Sequence, residues 1–291
     1  MHRRALAVLL ILASFYSLAH AENNPIQSSP AGFMELWNNL TYFDTNLEKK
    51  GFASLLGRFE GKLGFNFFNY PIQLYGAYYG TASQSRDYWN NSLVSGAGIR
   101  LRPFEGFSAS GWMNEWINDT KIYAESLSIK YLMNEASAEA DGLKDKDMRY
   151  GLEVWHEWNL KNVDLAVPWG ELWANLSVRS TNFSSRESSA TIFYLQPKFG
   201  RHIAPGIEAY LKADITYSNK DDYWLNIADY GVGIRFAPWR SGTDVYGLFR
   251  NFKMFAELLG VSYLKGQPAE AEPVKRVSTD ARFGIDFSYG R

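Results

Sequence analysis

The sequence predicts an all-β chain: a transmembrane, antiparallel, up-and-down β-barrel of about 12 strands, with 14 as the alternative, built from two tandem six-strand halves. Three observations lead there. The stretch Asp87–Phe104 (DYWNNSLVSGAGIRLRPF) returns as Asp222–Trp239 (DYWLNIADYGVGIRFAPW), with Asp, Tyr, Trp, Asn, two Gly, Ile, Arg and Pro recurring in order. Both copies alternate. In the second, Tyr230, Val232, Ile234 and Phe236 point one way, and Asp229, Gly231, Gly233 and Arg235 the other; a period of two is a strand. Finally, aromatic residues make up 16% of the chain, yet the mean hydropathy is −0.29. A wall with lipid on one side and water on the other calls for both. A secreted β-sandwich is the runner-up on composition, but it expects shorter strands with turn signals every ~8–12 residues.

The chain opens with Arg3 and Arg4, the apolar run Ala5–Leu18, and the small-x-small pattern Ala19-His20-Ala21. Residues 1–21 therefore read as a secretory signal peptide cut before Glu22; as a membrane anchor the run is short. Residues 22–31 read as a flexible segment, leaving 32–291 for the barrel, repeated as 32–160 and 167–291. No later run approaches the ~18 apolar residues of a spanning helix. There is no cysteine, so no disulfide and no lipidated cysteine. The net charge of −1 gives no nucleic-acid footprint.

The strands follow in order. Gly32–Asp44 contains ELWNNL (Glu35–Leu40), whose counterpart is ELWANL (Glu171–Leu176). In Arg58–Phe67, Phe59, Gly61, Leu63, Phe65 and Phe67 alternate with Arg58, Glu60, Lys62, Gly64 and Asn66; the partner, Ile192–Arg201, is less regular. A turn at Asn69-Tyr70-Pro71 leads into Ile72–Thr81, and one at His202–Pro205 leads into Ile207–Tyr217. The repeated motif follows, with DYW at a strand mouth and GxGIR as the strand. KIYAESLSIKYL (Lys121–Leu132) then matches KMFAELLGVSYL (Lys253–Leu264), and DMRYGLEVW (Asp147–Trp155) matches DARFGIDFS (Asp280–Ser288). Six strands per half fits parity, because a tandem copy keeps its orientation only if the unit has an even number of strands. A seventh, at Phe107–Trp116, would invert the second copy. Residues 105–120 and 240–252 are therefore read as connections, each with room for a helical turn.

With both termini periplasmic, the Pro-containing turns fall on the periplasmic side. The charged loops Asn134–Lys146 and Gly266–Thr279 fall outside, the asymmetry of outer-membrane barrels. The last strand sets Ala281, Phe283, Ile285, Phe287 and Tyr289 against Arg282, Gly284, Asp286 and Ser288, like the C-terminal signal read by the outer-membrane assembly machinery.

Catalytic chemistry has little support. His156 lies on the apolar parity of its strand and His202 in a turn; no GxSxG, HExxH or P-loop appears. No cofactor or metal is called for, and an enzyme is the least favoured reading. The water-facing parity is more informative. It makes Arg58, Glu60, Lys62, Arg100, Arg102, Arg149, Glu153, Lys212, Asp214, Arg235, Arg282 and Asp286 the binding candidates in the lumen, with Lys198 and Glu208 beside them. Such charges serve either as cross-strand ion pairs that stiffen the wall or as the lining of a polar conduit suited to sugars. Glu125 and Glu257 resist this scheme: they share a parity with Tyr123, Leu127 and Ile129, and with Phe255, Leu259 and Val261, which would aim a carboxylate at lipid. A bulge or a headgroup-level position would resolve it. Tyr88, Trp89, Tyr223 and Trp224 are expected in an interfacial girdle.

The phrasing DYWNN…GAGIRLRPF and DYWLN…GVGIRFAPW resembles the barrel region of outer-membrane proteins linked to exopolysaccharide export and phage adsorption. Larger members carry a periplasmic helical-repeat domain, and no such domain is expected from this sequence. The resemblance implies a porin-like conduit for polysaccharide or oligosaccharide in a Gram-negative outer membrane. Its partners would be membrane lipids, lipopolysaccharide, the assembly machinery and export proteins. The alternative is a plugged structural or receptor barrel.

Overall fold

The computed structural model describes residues 32–290 except 45–53, 67–70, 85–87, 105–112, 141–142, 161–163, 181–188, 241–250 and 267–277. The expected signal peptide (1–21) and expected flexible segment (22–31) fall outside the described residues, as does most of the loop at 266–279. Twelve strands follow: β1 (Gly32–Phe43), β2 (Ser54–Asn66), β3 (Ile72–Ser83), β4 (Ser92–Leu101), β5 (Thr120–Tyr131), β6 (Lys146–Trp158), β7 (Trp169–Arg179), β8 (Ala190–Ala204), β9 (Ile207–Ser218), β10 (Ile227–Phe236), β11 (Lys253–Tyr263) and β12 (Thr279–Tyr289). Each pairs antiparallel with its sequence neighbours. β12 pairs back onto β1, with Leu36 opposite Tyr289 and Phe43 opposite Arg282, so the sheet is a closed barrel. Closure pairs the backbone groups that an edge strand would leave bare.

The ring of twelve pairings leaves no place for fourteen strands. The C-terminal part of Phe107–Trp116 enters a short helix, α1 (Met113–Asn118), and α2 (Glu135–Ala140) sits in the β5–β6 loop. An even strand number brings both ends of the ring to one rim, called here the terminal end. The turns after β2 and β8 lie there; the loops after β5 and β11 lie at the far end, as the sequence implied. The β8–β9 turn is tighter than expected. β8 continues through His202 to Ala204, with a register shift between those two residues. The turn is Pro205-Gly206, where Gly206 takes φ 71°, a left-handed conformation that glycine adopts without strain.

The two DYW segments form 3-10 turns at the far end, Tyr88–Asn90 and Tyr223–Leu225. What holds them is the Asn that closes each motif. Asn226 is fully buried. Its Nδ2 donates to Lys220 O at 2.7 Å and Asp222 O at 2.8 Å, and its Oδ1 accepts from Ser218 N at 2.9 Å. Asn91 Oδ1 accepts from Ser83 N at 3.0 Å in the same way. Each Asn carbonyl then accepts from the end of the next hairpin, Leu132 N and Leu264 N, both at 2.8 Å. Tyr88 and Tyr223 meet Tyr131 and Tyr263 edge-on. Tyr88, Tyr131 and Tyr223 are buried and Tyr263 is half-buried, while Trp224 is exposed.

Every strand puts an exposed apolar side chain on the outer face: Leu40, Leu63, Tyr78, Ile99, Ile122, Tyr150, Leu176, Phe193, Leu211, Val232, Leu258 and Phe283. So continuous an apolar belt is far larger than a water-soluble monomer exposes; it is the surface of a membrane-spanning barrel. On β5 the expected sidedness is reversed. Tyr123, Glu125, Leu127, Ile129 and Tyr131 are all buried and face inward, while Ser126, Ser128 and Lys130 are exposed. The pairing of β5 with β4 and β6 runs without a bulge, so Glu125 is neither turned by a bulge nor aimed at lipid. β11 does the same with Glu257, Leu259 and Val261.

Candidate functional site: an ion-paired lumen

The inward parity of β1–β12 brings the sequence-derived charges together. Arg58, Glu60, Lys62, Arg149, Glu153, Lys198, Glu208, Lys212, Asp214, Arg282 and Asp286 are all buried or half-buried, as are Arg100 and Arg235. No lumen charge among the described residues is exposed. Arg102 lies just past β4, where its backbone N–H donates to Pro71 O at 2.8 Å.

In the first half the arrangement centres on Arg100, the Arg of GAGIR. It is 1% exposed. Its Nη1 and Nη2 donate to the two oxygens of Glu35 at 2.8 and 2.7 Å, and its Nε donates to Gln73 Oε1 at 2.7 Å. The fork geometry matches the carboxylate, which is the strong form of this pair. Lys121 Nζ reaches Glu35 at 3.4 Å. Phe33 and Tyr75 lie beneath the guanidinium, 5.1 and 5.5 Å from ring centroid to Cζ. Higher up, Lys62 bridges Glu60 at 3.4 Å and Glu153 at 3.3 Å. Glu125 accepts from Tyr75 at 2.9 Å and Tyr79 at 2.6 Å, and Arg149 pairs with Asp147 at 2.5 Å.

The second half repeats this with more charge. Arg235 donates to Glu171 at 2.7 Å and also to Glu208, the residue standing where the first half has Gln73. Lys253 and Lys198 approach Glu171 at 3.2 and 3.6 Å. Arg240, in the connection after β10, donates to Glu208 at 3.1 Å. Burial, and then the neighbouring charge of Arg235, push the Arg240 pKa below the ordinary guanidinium value. Trp169 lies under Arg235, 4.0 Å from ring centroid to Cζ. Glu257 accepts from Tyr210 at 2.7 Å and Lys212 at 2.9 Å. Arg282 fans across Asp214, Asp229 and Asp280.

Several pairs are chords of the barrel. Arg100 on β4 and Lys121 on β5 both reach β1, Lys62 on β2 reaches β6, and Lys253 on β11 reaches β7. Such pairs span the lumen rather than decorate one wall. The motif glycines make room for the rings that stack along it. A Cβ on Gly98 would stand 2.5 Å from the Tyr75 ring, and one on Gly233 would stand 2.4 Å from Tyr210.

The sequence reading missed Glu35, Glu171, Lys121, Lys253 and the tyrosines. The signal was present: Glu35 and Glu171 open the repeated ELWxNL, and Lys121 and Lys253 open the repeated strands carrying Glu125 and Glu257. His156 is on the outer parity but buried, with Nδ1 2.7 Å from Asp119 Oδ2, Trp158 stacked on it and Trp116 tilted against it. This pins α1 to the wall, away from the lumen.

No family model matches the chain, and no curated protein matches it. Solved outer-membrane barrels are similar in build. The NanC porin aligns over 87% of this chain and 98% of its own, at 8% identity and a TM-score of 0.42. The KdgM porin in complex with disordered oligogalacturonate aligns over 88% and 99%, at 9% and 0.37. The β domain of the Bordetella autotransporter Brka aligns over 89% and 100%, at 12% and 0.36. Scores of this size carry nothing about cargo or mechanism.

Proposed function

We propose that this chain is a porin-like β-barrel of a Gram-negative outer membrane, a narrow polar conduit whose lumen is held by ion pairs, with polysaccharide or oligosaccharide as its cargo. The observation that carries the reading is the two-sided wall. An apolar belt to which every strand contributes surrounds a lumen to which every strand contributes polar or charged groups. Hydroxyls bond to arginine and carboxylate, and sugar ring faces lie on tyrosine, so this lining suits sugars better than apolar solutes. A role in export or phage adsorption, as in the proteins the motif resembles, belongs to the same proposal.

The burial of the lumen charges favours a second reading, a barrel plugged by its own ion pairs that serves as a surface anchor or receptor. Single-channel conductance of the refolded chain in a planar bilayer separates the two. Steady conductance blocked by one class of oligosaccharide supports the conduit. A folded but silent barrel, with and without sugar, refutes it and leaves the plugged reading.

A further inference from the structure

The outer wall carries charge at few places. Among the described strand residues, the Asp, Glu, Lys and Arg side chains on the outward parity are Lys130, Lys146 and Arg201, all exposed. Lys130 and Lys146 flank the β5–β6 loop at the far end. Arg201 stands alone toward the terminal end, on β8 between Phe199 and Ile203, which are 54% and 55% exposed. It lies roughly 13 Å along the strand from Pro205 in the β8–β9 turn, at ~3.3 Å per residue. Among the described residues its guanidinium has no carboxylate partner. On a lipid-facing wall such a charge is costly at the midplane and tolerated near an interface.

A groove of about 540 Å³ opens beside it. Its far side is the row Phe199, Leu211 and Val232, which stand opposite one another across β8, β9 and β10. One step toward the terminal end, Ala209 stands between Arg201 and Ile234, and its small side chain leaves a depression. Trp158 on β6 closes the remaining flank. It pairs with Gly170, where a Cβ would stand 1.8 Å from the indole, so the ring lies across β7 and meets Phe199 edge-on at 5.2 Å. The volume is within the range of ligand sites. One end of the groove is cationic and the rest is apolar.

We propose that Arg201 and this groove bind one phospholipid of net negative charge from the leaflet at the terminal end. The guanidinium takes the phosphate, and an acyl chain lies between Trp158 and Leu211. A zwitterionic headgroup would bring an ammonium as well, and the outward parity of the described strands offers it no Asp or Glu. The proposal rests on the wall facing lipid, not on the barrel conducting. The test is quenching of tryptophan fluorescence in the full chain refolded into phosphatidylcholine vesicles. Part of the lipid is replaced by phosphatidylglycerol, or by phosphatidylcholine, with dibrominated chains. Trp158→Phe supplies the baseline, so the difference reports the groove. Brominated phosphatidylglycerol half-quenches Trp158 at about one-fifth of the mole fraction that brominated phosphatidylcholine needs, the preference one basic side chain gives for an anionic lipid. Arg201→Gln brings the two lipids level, and Ala209→Leu, which fills the groove beside an intact Arg201, lowers the preference too. Lys130→Gln, at the far end of the wall, leaves it intact. A wild type that treats both lipids alike, a preference that survives Arg201→Gln or Ala209→Leu, or one lost in Lys130→Gln overturns the proposal. No quenching of Trp158 by either lipid refutes the lipid-facing wall and this site with it. A silent barrel that keeps the preference refutes the conduit and retains the site.

Discussion

Removing the guanidinium of Arg100 should cost more than removing that of Arg235, although both arginines end the same GxGIR motif. Arg100→Met strips Glu35 of a bidentate partner at 2.7 and 2.8 Å and leaves it Lys121 at 3.4 Å. Glu35 is 9% exposed, so the carboxylate stays largely desolvated. Breaking a buried pair by deleting one partner costs about 3–5 kcal/mol, and the lost stacking on Phe33 and Tyr75 adds about 0.5–1 kcal/mol for each ring. Arg235→Met leaves no carboxylate alone. Glu171 keeps Lys253 and Lys198, and Glu208 keeps Arg240. Its lost hydrogen bonds should cost about 1–3 kcal/mol, and the lost stacking on Trp169 and Tyr210 adds the same about 0.5–1 kcal/mol for each ring, so the total stays below that of Arg100→Met. Urea unfolding of the refolded barrel, followed by tryptophan fluorescence, reads both. A double-mutant cycle of Arg100→Met with Glu35→Gln isolates the pair, with an expected coupling above about 1 kcal/mol. Equal costs, or a larger cost at Arg235, would falsify the argument that surplus partners cushion the second half.

Other changes test other parts of the molecule. Asn226→Ala removes the side chain that closes the second DYW turn; it should destabilise the barrel by about 2–3 kcal/mol and expose Asn219–Asn226 to protease, with Asn219→Ala, at an exposed loop position, as the milder control. Leu211→Arg, at one of the most exposed apolar positions of the outer wall (62% exposed), should cost about 2–4 kcal/mol for folding into bilayers if it lies near the midplane, and far less in detergent; equal loss in both media would argue against a lipid-facing wall. Gly233→Val places a Cβ 2.4 Å from the Tyr210 ring. It should lower stability, and the double variant with Tyr210→Ala should recover part of the loss; no recovery would show that the glycine is there for curvature instead.

Much of this protein is local and can be read from the chain. Alternation in Tyr230–Phe236 makes a strand whatever its neighbours are, because successive side chains leave opposite faces of an extended backbone. The repeats set the count at six strands per half, and the parity of an up-and-down wall selected twelve over fourteen. The charged face of β2, with Arg58, Glu60 and Lys62, reads as the lumen face because its other face is uniformly apolar. The same rule failed on β5. Alternation says that two faces exist, not which one is inside. On β5 both faces are mixed, with Tyr123, Leu127 and Ile129 around Glu125 on one and Ser126, Ser128 and Lys130 on the other. Only the assembled barrel settles the matter, because Glu125 has hydroxyl donors inward, from Tyr75 and Tyr79 on β3, and would have none in lipid. The chord pairs lie equally beyond local reading. That Arg100 would find Glu35 rather than a carboxylate on an adjacent strand depends on how twelve strands tilt and close, and closure is a property of the whole ring.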